Sequence, residues 1–440
     1  MRAALQRAGG FPEARAALER GLARARAGLS FVTVEAPLAP LEELWAAGPG
    51  GGTAAYWPAE GSRVVGWGVA AEQRFAGLRA GPAVQWARRV LRVVDGVVFC
   101  AAAFSPASVG RGPWARFPAL WLVLPRWLYR VEGRRATVTL AIEPARLDRA
   151  ERRRAVEELE RLWDRPGRPV RACLPPAKVR QLSPGRWRSL VTAALDAIDA
   201  GRFEKLVPAR VARVQGSGPL DPALVLRALA GLPACTTFAV GLGDATFLGA
   251  TPERLVARSG RRIATEALAG TVRRGQRVVE LRGRKIAHEH ELVVRDILDR
   301  LGPLCRSLER RPRPAARPLT DMVHLRTPIE GRLRRDTHVL ELALRLHPTP
   351  AVSGVPADRA VRWLERHEPE PRGWYAGFVG WFDGRGDGET SVAIRSGLLR
   401  GRGARVYAGA GVVSGSIPAA EYDETALKQR PFLRAIGMPA

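Results

Sequence analysis

The stretch TTFAVGLGDATFL, residues 236–248, decides the fold class of this chain. It contains two short runs of apolar and β-branched residues on either side of Gly243-Asp244, and a Gly-Asp pair between such runs is typical of a tight turn. The stretch therefore predicts a β-hairpin. Three later strands, joined by glycine-rich turns, are predicted to form an antiparallel meander at residues 374–382, 390–399 and 404–412.

Segments with helical periodicity flank the predicted strands. They lie at residues 11–27, 150–164, 189–200, 220–229 and 277–301, and a last helix begins at about Pro418. Because the strands come in hairpins and do not alternate with helices, the pattern predicts an α+β fold. In this fold antiparallel β-sheets are packed in the centre and flanked by helices.

A cluster of proline and glycine at residues 173–186 predicts a boundary within the chain. It would separate an N-terminal α/β portion, residues 1–185, from a second portion, residues 186–440. The second portion opens on a predicted strand at 205–214 and holds the segments that suggest chemistry.

Composition and charge narrow the class of protein. Of the 440 residues, 46% are hydrophobic and 26% are charged, which is typical of a folded globular protein. The formal charge of +27 raises nucleic acid as a partner. However, the arginines are mixed with Glu and Asp throughout the chain, and no zinc-finger or RNA-binding motif is found. The prediction is therefore a protein that does not bind nucleic acid.

The chain carries no sign of export or of a membrane segment. Its first 25 residues contain Arg and Glu throughout and lack the apolar core of a signal peptide. Its longest clearly apolar run, residues 117–124, is far shorter than the roughly 20 residues that a membrane helix needs. We therefore predict a cytoplasmic protein without a membrane partner. The four cysteines, Cys100, Cys173, Cys235 and Cys305, form no CxxC pair and are predicted to be buried thiols.

Lysine is rare in this chain. Only four of the 70 cationic residues are lysines: Lys178, Lys205, Lys285 and Lys428. Arginine does not give up its proton in proteins, whereas a lysine amine can act as a base or nucleophile. Each lysine is therefore a candidate for chemistry, although Lys178, in a loop-like stretch, is better explained as a surface residue.

Three charged residues share one face of the last predicted helix. Glu421, Glu424 and Lys428 follow one another at spacings of three and four residues. A solvated helix with one Glu–Lys pair would explain the spacing, but the small-residue loop GAGVVSGS just before it also suits a bound anion. Together with Glu289 of the HEHE segment, these carboxylates would form an oxygen-only site suited to Mg²⁺.

Histidines and one further glutamate give weaker signals. His288 and His290 are two residues apart, and on a helix they point in different directions, so a zinc site is disfavoured. Glu253, in FLGATPERL, follows a hairpin and a proline and means little by itself. His324 and His347 are equally well explained as turn-stabilising or hydrogen-bonded core imidazoles.

Nine segments stand in order between about residues 189 and 428: FEKLVPAR, FLGATPERLV, TEALAGTVRRG, AHEHELVV, VHLRTPIEG, LHPTPAVSGVP, RGWYAGFVGW, SVAIRSG and GAGVVSGSIPAAEYDETALK. Taken together, they resemble the chorismate-utilising enzymes, and isochorismate synthases above all. The resemblance implies the anthranilate synthase component I-like fold, with residues 186–440 as the catalytic portion that binds chorismate.

The resemblance also implies a role for individual residues. Lys205 corresponds to the base that activates water, and Glu253 to the acid that protonates the departing C4 hydroxyl. Mg²⁺ would be held by carboxylates and the substrate by the pocket wall. The implied metal residues are Glu289, Glu424 and Glu421, and the implied substrate-binding residues are Ala269, Gly270, Thr271, His324, Arg395, Gly411 and Lys428.

Differences within the family favour one product. Anthranilate synthases have Gln at the position of Lys205 and work with an amidotransferase subunit, and aminodeoxychorismate synthases have a nucleophilic lysine at the position of Ala269. The resemblance therefore implies an isomerase, isochorismate synthase, that adds water and needs no amidotransferase. Salicylate synthases share both Lys205 and Glu253 and stay an alternative. A nucleic-acid-binding protein on a degenerate enzyme fold is an alternative of another class.

The resemblance also implies a metabolic pathway and an oligomeric state. Menaquinone biosynthesis is the expected pathway, with siderophore assembly as the second choice, and a monomer is expected. Ile286 stands three residues before Glu289, where relatives often have an acidic residue.

Overall fold

The computed structural model describes residues 10–25, 29–48, 51–91, 96–164, 177–275 and 283–438. Parts of the predicted helices 11–27 and 277–301, part of the boundary segment 173–186, and Cys173 lie outside the described residues. The helices are α1 (Phe11–Arg24), α2 (Leu41–Ala47), α3 (Ala80–Val90), α4 (Arg149–Asp164), α5 (Pro184–Asp199), α6 (Pro222–Ala230), α7 (Arg284–Leu301), α8 (Val339–Leu346), α9 (Ala357–His367) and α10 (Pro418–Ala435).

Short strands make up the centre of the fold. Those of the first half are β1 (Ser30–Ala36), β2 (Ala54–Trp57), β3 (Arg63–Trp67), β4 (Ala71–Phe75), β5 (Val97–Ala102), β6 (Leu120–Leu124), β7 (Trp127–Glu132), β8 (Arg135–Ile142), β9 (Ala177–Arg180), β10 (Lys205–Leu206) and β11 (Ala209–Gly216). Those of the second half are β12 (Thr236–Leu242), β13 (Ala245–Thr251), β14 (Arg254–Ser259), β15 (Arg262–Arg273), β16 (Cys305–Arg310), β17 (Ala315–Pro318), β18 (Met322–Leu333), β19 (Gly354–Val355), β20 (Phe378–Asp383), β21 (Gly388–Val392), β22 (Ser396–Arg400) and β23 (Gly403–Gly409).

The strands form two large antiparallel sheets. The first runs β1-β8-β7-β3-β2-β12-β13-β22-β23-β11-β9, and the second runs β16-β18-β15-β14-β21-β20-β5-β6-β4, with β17 beside β18. Inner-face side chains from both sheets share one hydrophobic core, and the Tyr56 hydroxyl of the first sheet lies 2.7 Å from the Ser391 hydroxyl of the second. Helices α1, α2, α4, α6 and α10 contribute to a second core on the outer face of the first sheet. The predicted α+β class, with central antiparallel sheets flanked by helices, is confirmed.

The predicted hairpin at 236–248 is confirmed, because β12 pairs with β13 across a turn in which Gly243 has a φ of +64°. The predicted strand at 205–214 is interrupted, since Pro208 has no N–H to donate to a ladder. Lys205 consequently lies on the two-residue strand β10, which pairs with β19 outside both large sheets.

The predicted meander is wrong in one respect. β20 and β21 belong to the second sheet, whereas β22 and β23 belong to the first. The chain crosses between the sheets at residues 393–395, where Arg395 has a φ of +52°. Alternation along a strand shows which residues point inward, but not which sheet the strand joins. The crossing brings Arg395 between the two sheets.

Both predicted portions contribute strands to each large sheet. In the first sheet β2 of the N-terminal portion pairs with β12, and in the second β5 pairs with β20. The boundary at residue 185 stays a prediction about where the catalytic portion begins. Cys100 and Cys305 are buried free thiols, and Cys235 is a half-buried one. None of the helices in the described ranges is long and apolar enough to cross a membrane.

Candidate functional site

One cavity brings together most of the residues that the sequence singled out. It encloses about 640 Å³, part of it open to solvent, and its wall is built from both sheets together with α7 and α10. The predicted residues in this wall are Glu253, Ala269, Gly270, Thr271, Glu289, His324, Arg395, Gly411 and Lys428. Three other predicted residues, Lys205, Glu421 and Glu424, do not line it.

Lys205 lies behind the wall, next to Glu289. Its side chain is completely buried, and its Nζ atom is 2.9 Å from Glu289 Oε1. Burial by itself would raise the pKa of Glu289, but the charge and contact of Lys205, followed by Lys428 and Lys285, outweigh burial and lower that pKa. Glu289 is therefore an ionised carboxylate that separates the Lys205 amine from the cavity.

Glu253 is the buried acid of the site. It directly follows β13 and Pro252, its backbone N–H donates to Thr251 Oγ1 at 3.2 Å, and 4% of the residue is exposed. Burial, with a smaller contribution from nearby Glu266, raises the pKa of Glu253 to about 8, although Lys205, Lys428 and Arg395 act in the opposite direction. Glu253 therefore carries a proton at neutral pH and can donate it inside the cavity.

In the cavity wall the cationic side chain of Arg395 is hydrogen-bonded to the neutral imidazole of His324. Arg395 Nη2 donates to His324 Nε2 at 3.0 Å, while His324 Nδ1 lies 3.1 Å from Thr271 Oγ1 and 3.3 Å from the Gly270 carbonyl oxygen. Burial, followed by the charge of Arg395, holds the pKa of His324 well below its usual range. The imidazole is neutral, with Nε2 as acceptor, and it orients Arg395. Within the described residues Arg395 has no ion pair with a carboxylate.

The predicted wall segment Ala269, Gly270 and Thr271 lies on β15. The pairing of β15 with β18 shifts register between Ala269 and Thr271, which indicates a β-bulge at Gly270. Gly270 has a φ of +77°, and a Cβ there would be 2.5 Å from the Ile286 side chain. Ile286, the residue that departs from the family pattern, thus packs on the bulge and joins an apolar cluster with Val272.

The two glutamates of α10 are each paired with a lysine. Glu421, which is almost completely buried, lies 2.9 Å from Lys285 Nζ, and Glu424 lies 2.6 Å from Lys428 Nζ. Lys428 also donates to the Gly409 carbonyl oxygen at 2.9 Å, which fixes its amine at the cavity. The predicted Glu424–Lys428 pair is therefore present, and it lies at the cavity wall as well as on a helix face.

The carboxylates predicted to hold Mg²⁺ have suitable chemistry. In the described ranges no group of three or more His, Cys, Asp or Glu side chains is close enough to hold a metal ion. Burial, and then the charge of Glu424, nevertheless raise the pKa of Glu421, so these two carboxylates lie close enough to repel each other. A divalent cation relieves such repulsion, and oxygen donors suit Mg²⁺. Glu289, Glu421 and Glu424 thus offer the kind of donor that Mg²⁺ prefers, but each is paired with a lysine in this structure, and the predicted metal site stays a prediction.

Gly411 packs directly on the ion pair of Lys205 and Glu289. A Cβ at this position would be 2.1 Å from Glu289 Oε1 and 3.2 Å from Lys205 Cε. We expect Gly411→Ala to displace the flexible Glu289 carboxylate with little change in folding stability, and to lower turnover of the substrate by about 10²-fold through misplacement.

Gly403→Ala is the matched control for this substitution, since a Cβ there has its nearest contact at 3.6 Å. Steady-state kinetics and thermal unfolding of both variants check the prediction. Equal activity in the two variants would show that the space beside Glu289 is not needed.

Several residues of the site were missed from the sequence. Tyr375 and Tyr407 line the cavity and stack on each other, with ring centroids 5.1 Å apart. Glu266 is buried, helps to raise the pKa of Glu253, and is paired with Arg317 and Arg326. Both Tyr375 and Glu266 stand inside segments quoted above, RGWYAGFVGW and TEALAGTVRRG. A buried Glu within an otherwise apolar strand was the available signal for Glu266.

His288, His290 and His347 do not line the cavity. His290 is buried and lies 2.7 Å from Thr327 Oγ1, whereas His288 is exposed, so the two cannot share a zinc ion. His347 Nε2 donates to the carbonyl oxygens of Ala103 and Phe104, outside the cavity wall. Burial lowers the pKa of His347 to about 4, as expected for a core imidazole.

Comparison with known proteins finds relatives that are named as isochorismate synthases. Isochorismate synthase MenF of Bacillus subtilis is 36% identical over 270 residues, which are 59% of this chain and 57% of that protein. The salicylate biosynthesis isochorismate synthase of Pseudomonas aeruginosa is 42% identical over 265 residues, 57% of this chain and 55% of that protein. The match thus spans a little over half the length of each relative.

Solved structures are similar over more of the chain. The menaquinone-specific isochorismate synthase MenF of Escherichia coli has a TM-score of 0.82 and 27% identity, and the match covers 97% of this chain and 99% of that one. Anthranilate synthase component I of Streptococcus pneumoniae, at 20% identity and a TM-score of 0.72, covers 85% of this chain and 92% of that one and shows the same fold. A family model described as "chorismate binding enzyme" matches residues 29–437. The chain therefore belongs to the chorismate binding enzyme family.

Proposed function

We propose that this protein is an isochorismate synthase, an isomerase that adds water at C2 of chorismate and releases the C4 hydroxyl. The observation that carries the proposal is the buried Glu253 carboxyl, whose pKa burial raises to about 8, in the wall of the same cavity as Arg395 and Lys428. A diacid needs cations for its carboxylates, and the loss of a hydroxyl needs an acid. The names of the relatives point to the same reaction.

The two carboxylates of chorismate would bind to different parts of the wall. Arg395 is free of carboxylate partners in the described part of the chain, and its planar guanidinium suits bidentate contact with one of them. The positive charge of Lys428 adds to the attraction at the α10 side. The stacked Tyr375 and Tyr407 rings offer an apolar surface to the substrate ring. These contacts would fix which carbon faces Glu253.

The proposed reaction is a proton exchange around the ring. Once the Lys205 amine has lost its own proton, it accepts a proton from the attacking water as the C2–O bond forms and both ring double bonds shift. The C4–O bond breaks, and its oxygen takes the Glu253 proton and leaves as water. One water is consumed and one released, so the reaction is an isomerisation. Lys205 gains access to the water only when Glu289 turns away from it, because Glu289 now stands between the amine and the cavity.

We propose Mg²⁺ as the cofactor, held by Glu289 and Glu424 with Glu421 beside them. Bound there, the ion would supply positive charge for a substrate carboxylate. The mutual repulsion of Glu421 and Glu424 supports this assignment. Removal of the metal with EDTA is expected to lower turnover at least 10²-fold, and added Mg²⁺ is expected to restore it. Full activity in EDTA would contradict the proposal.

The experiment that tests the proposed reaction is a product assay. Purified protein is incubated with chorismate and Mg²⁺ at neutral pH, and the products are separated by chromatography. Isochorismate is the expected product. Salicylate with pyruvate would instead identify a salicylate synthase. No turnover, together with salt-dependent retention on DNA, would favour the nucleic-acid-binding alternative.

The cellular setting is part of the proposal. The names of the MenF relatives support menaquinone biosynthesis, while the P. aeruginosa relative is named for salicylate biosynthesis. We propose a cytoplasmic monomer that works without an amidotransferase subunit, since Lys205 stands where ammonia-using relatives have Gln.

A further inference from the structure

A second hollow, far from the first cavity, is lined mainly by arginines. We call it the basic hollow. It encloses about 2020 Å³, including space open to solvent, where several strands of the second sheet end. Its exposed cations come from four segments of the fold: Arg88 near the end of α3, Arg261 and Arg262 at the β14–β15 hairpin, Arg332 near the end of β18, and Arg385 in the β20–β21 turn.

The acidic residues of the basic hollow are already used by a buried arginine. Arg258 has 4% of its side chain exposed and is paired with Asp336 and Asp387. Its Nη1 atom also donates to the Arg385 carbonyl oxygen at 2.8 Å, while its Nε atom has no hydrogen-bond partner among the described residues. Among the described residues that line the hollow, six arginines and two aspartates leave a formal excess of four positive charges. Burial lowers the pKa of the neighbouring His338 to about 4, so this imidazole adds no charge at neutral pH.

The five exposed arginines of the basic hollow lack the carboxylate partners that many other arginines of this protein have. None of Arg88, Arg261, Arg262, Arg332 and Arg385 makes an ion pair with another described residue. Elsewhere a carboxylate is shared between arginines, as Glu266 is by Arg317 and Arg326. Five like charges around one concave surface repel each other, and a multiply charged anion would relieve that repulsion.

The shape of the hollow is fixed by its turns. Gly260 N–H donates to Asp387 Oδ1 at 2.8 Å, which ties the β14–β15 turn to the β20–β21 turn. Gly386 has a φ of +76°, and a Cβ there would be 2.7 Å from His338 Cδ2. Val339 N–H donates to the Gly386 carbonyl oxygen at 3.0 Å, which joins the start of α8 to the same turn. These contacts fix the positions of the turns that carry Arg261 and Arg385.

We propose that the basic hollow binds a small molecule that carries two or more phosphate groups. Guanidinium groups match phosphate oxygens in bidentate pairs, and several of them around one hollow select a multiply charged ligand over a single carboxylate. β15 runs from Arg262 at the hollow to Thr271 at the first cavity, which is about 30 Å at the rise of a strand. The two sites are therefore separate, and this inference does not depend on the reaction proposed above.

The test measures binding of inorganic triphosphate by calorimetry in about 0.15 M salt, where screening weakens non-specific attraction. We expect Arg261→Ser, Arg262→Ser and Arg332→Ser together to weaken binding at least tenfold. The pair Arg88→Ser and Arg385→Ser, taken from other segments, is expected to act in the same direction. The matched control is Arg149→Ser, Arg152→Ser and Arg188→Ser, three exposed arginines away from the hollow that remove the same charge.

Three results would overturn the inference. The first is equal weakening in the control, which would assign binding to the overall positive charge. The second is a triphosphate affinity no higher than that for inorganic phosphate. The third is competition by chorismate, which would place the ligand in the first cavity. Turnover of chorismate is expected to be unchanged in all the arginine variants, so loss of binding and loss of activity are distinguishable.

Discussion

Lys205→Ala is expected to reduce kcat about 10³-fold or more while the chain still folds. The amine is the only lysine nitrogen that forms an ion pair with Glu289 among the described residues. General-base catalysis contributes about 10²–10⁴-fold to turnover, and the loss of a positive charge near Glu289 adds to the effect. Steady-state kinetics with chorismate, together with circular dichroism and thermal unfolding, check this result.

Two further variants separate the role of Lys205 as a base from the role of its positive charge. Lys205→Arg keeps a cation beside Glu289 but provides a group that does not lose its proton, so it is expected to be nearly as inactive as the alanine variant. Lys178→Ala removes an exposed lysine on β9 and is expected to leave turnover unchanged. Substantial activity in Lys205→Arg would mean that position 205 supplies positive charge only, and the proposed proton transfer would then be wrong.

Much of the site was predictable because its residues stand in short segments whose order is fixed along the chain. Nine of the twelve predicted residues line one cavity. The spacing of Glu424 and Lys428 also predicted their pairing on α10, since helical geometry alone sets it. The hairpin at 236–248 followed in the same way from local turn chemistry.

Long-range packing decided what was not predictable. The meander prediction failed because sheet membership depends on partners more than 100 residues away, such as the pairing of β20 with β5. The position of Lys205 behind Glu289 depends on the close approach of Gly411, which no local pattern reveals. The contribution of Glu266 to the pKa of Glu253 likewise requires β15 to lie beside β14.

Glu253→Gln is expected to abolish turnover, by about 10²–10⁴-fold, because an amide keeps the shape of the acid but has no proton to donate to the leaving hydroxyl. In the unchanged protein kcat is expected to fall as the pH rises through about 8, where Glu253 ionises. Glu330→Gln, which changes an exposed carboxylate of β18, serves as the control and is expected to keep the activity and the pH profile. A pH profile without a fall near 8 would contradict the role of Glu253 as the acid.

The same substitution has a second consequence, for folding stability. The pKa of Glu253 is higher in the folded protein, about 8, than its ordinary value of 4.5, so the folded state binds the proton more tightly than the unfolded state. The resulting stabilisation is complete below about pH 4.5 and is lost as the pH rises towards 8. The amide introduced by Glu253→Gln resembles the protonated acid at every pH, so this variant is expected to become more stable than the unchanged protein across this range. The difference in the free energy of unfolding should grow with pH and level off above about 8, at up to about 5 kcal/mol. Denaturant unfolding of both proteins at several pH values measures this difference in free energy. A difference that does not change with pH would show that Glu253 is ionised in the folded protein at neutral pH. It would then have no proton to give.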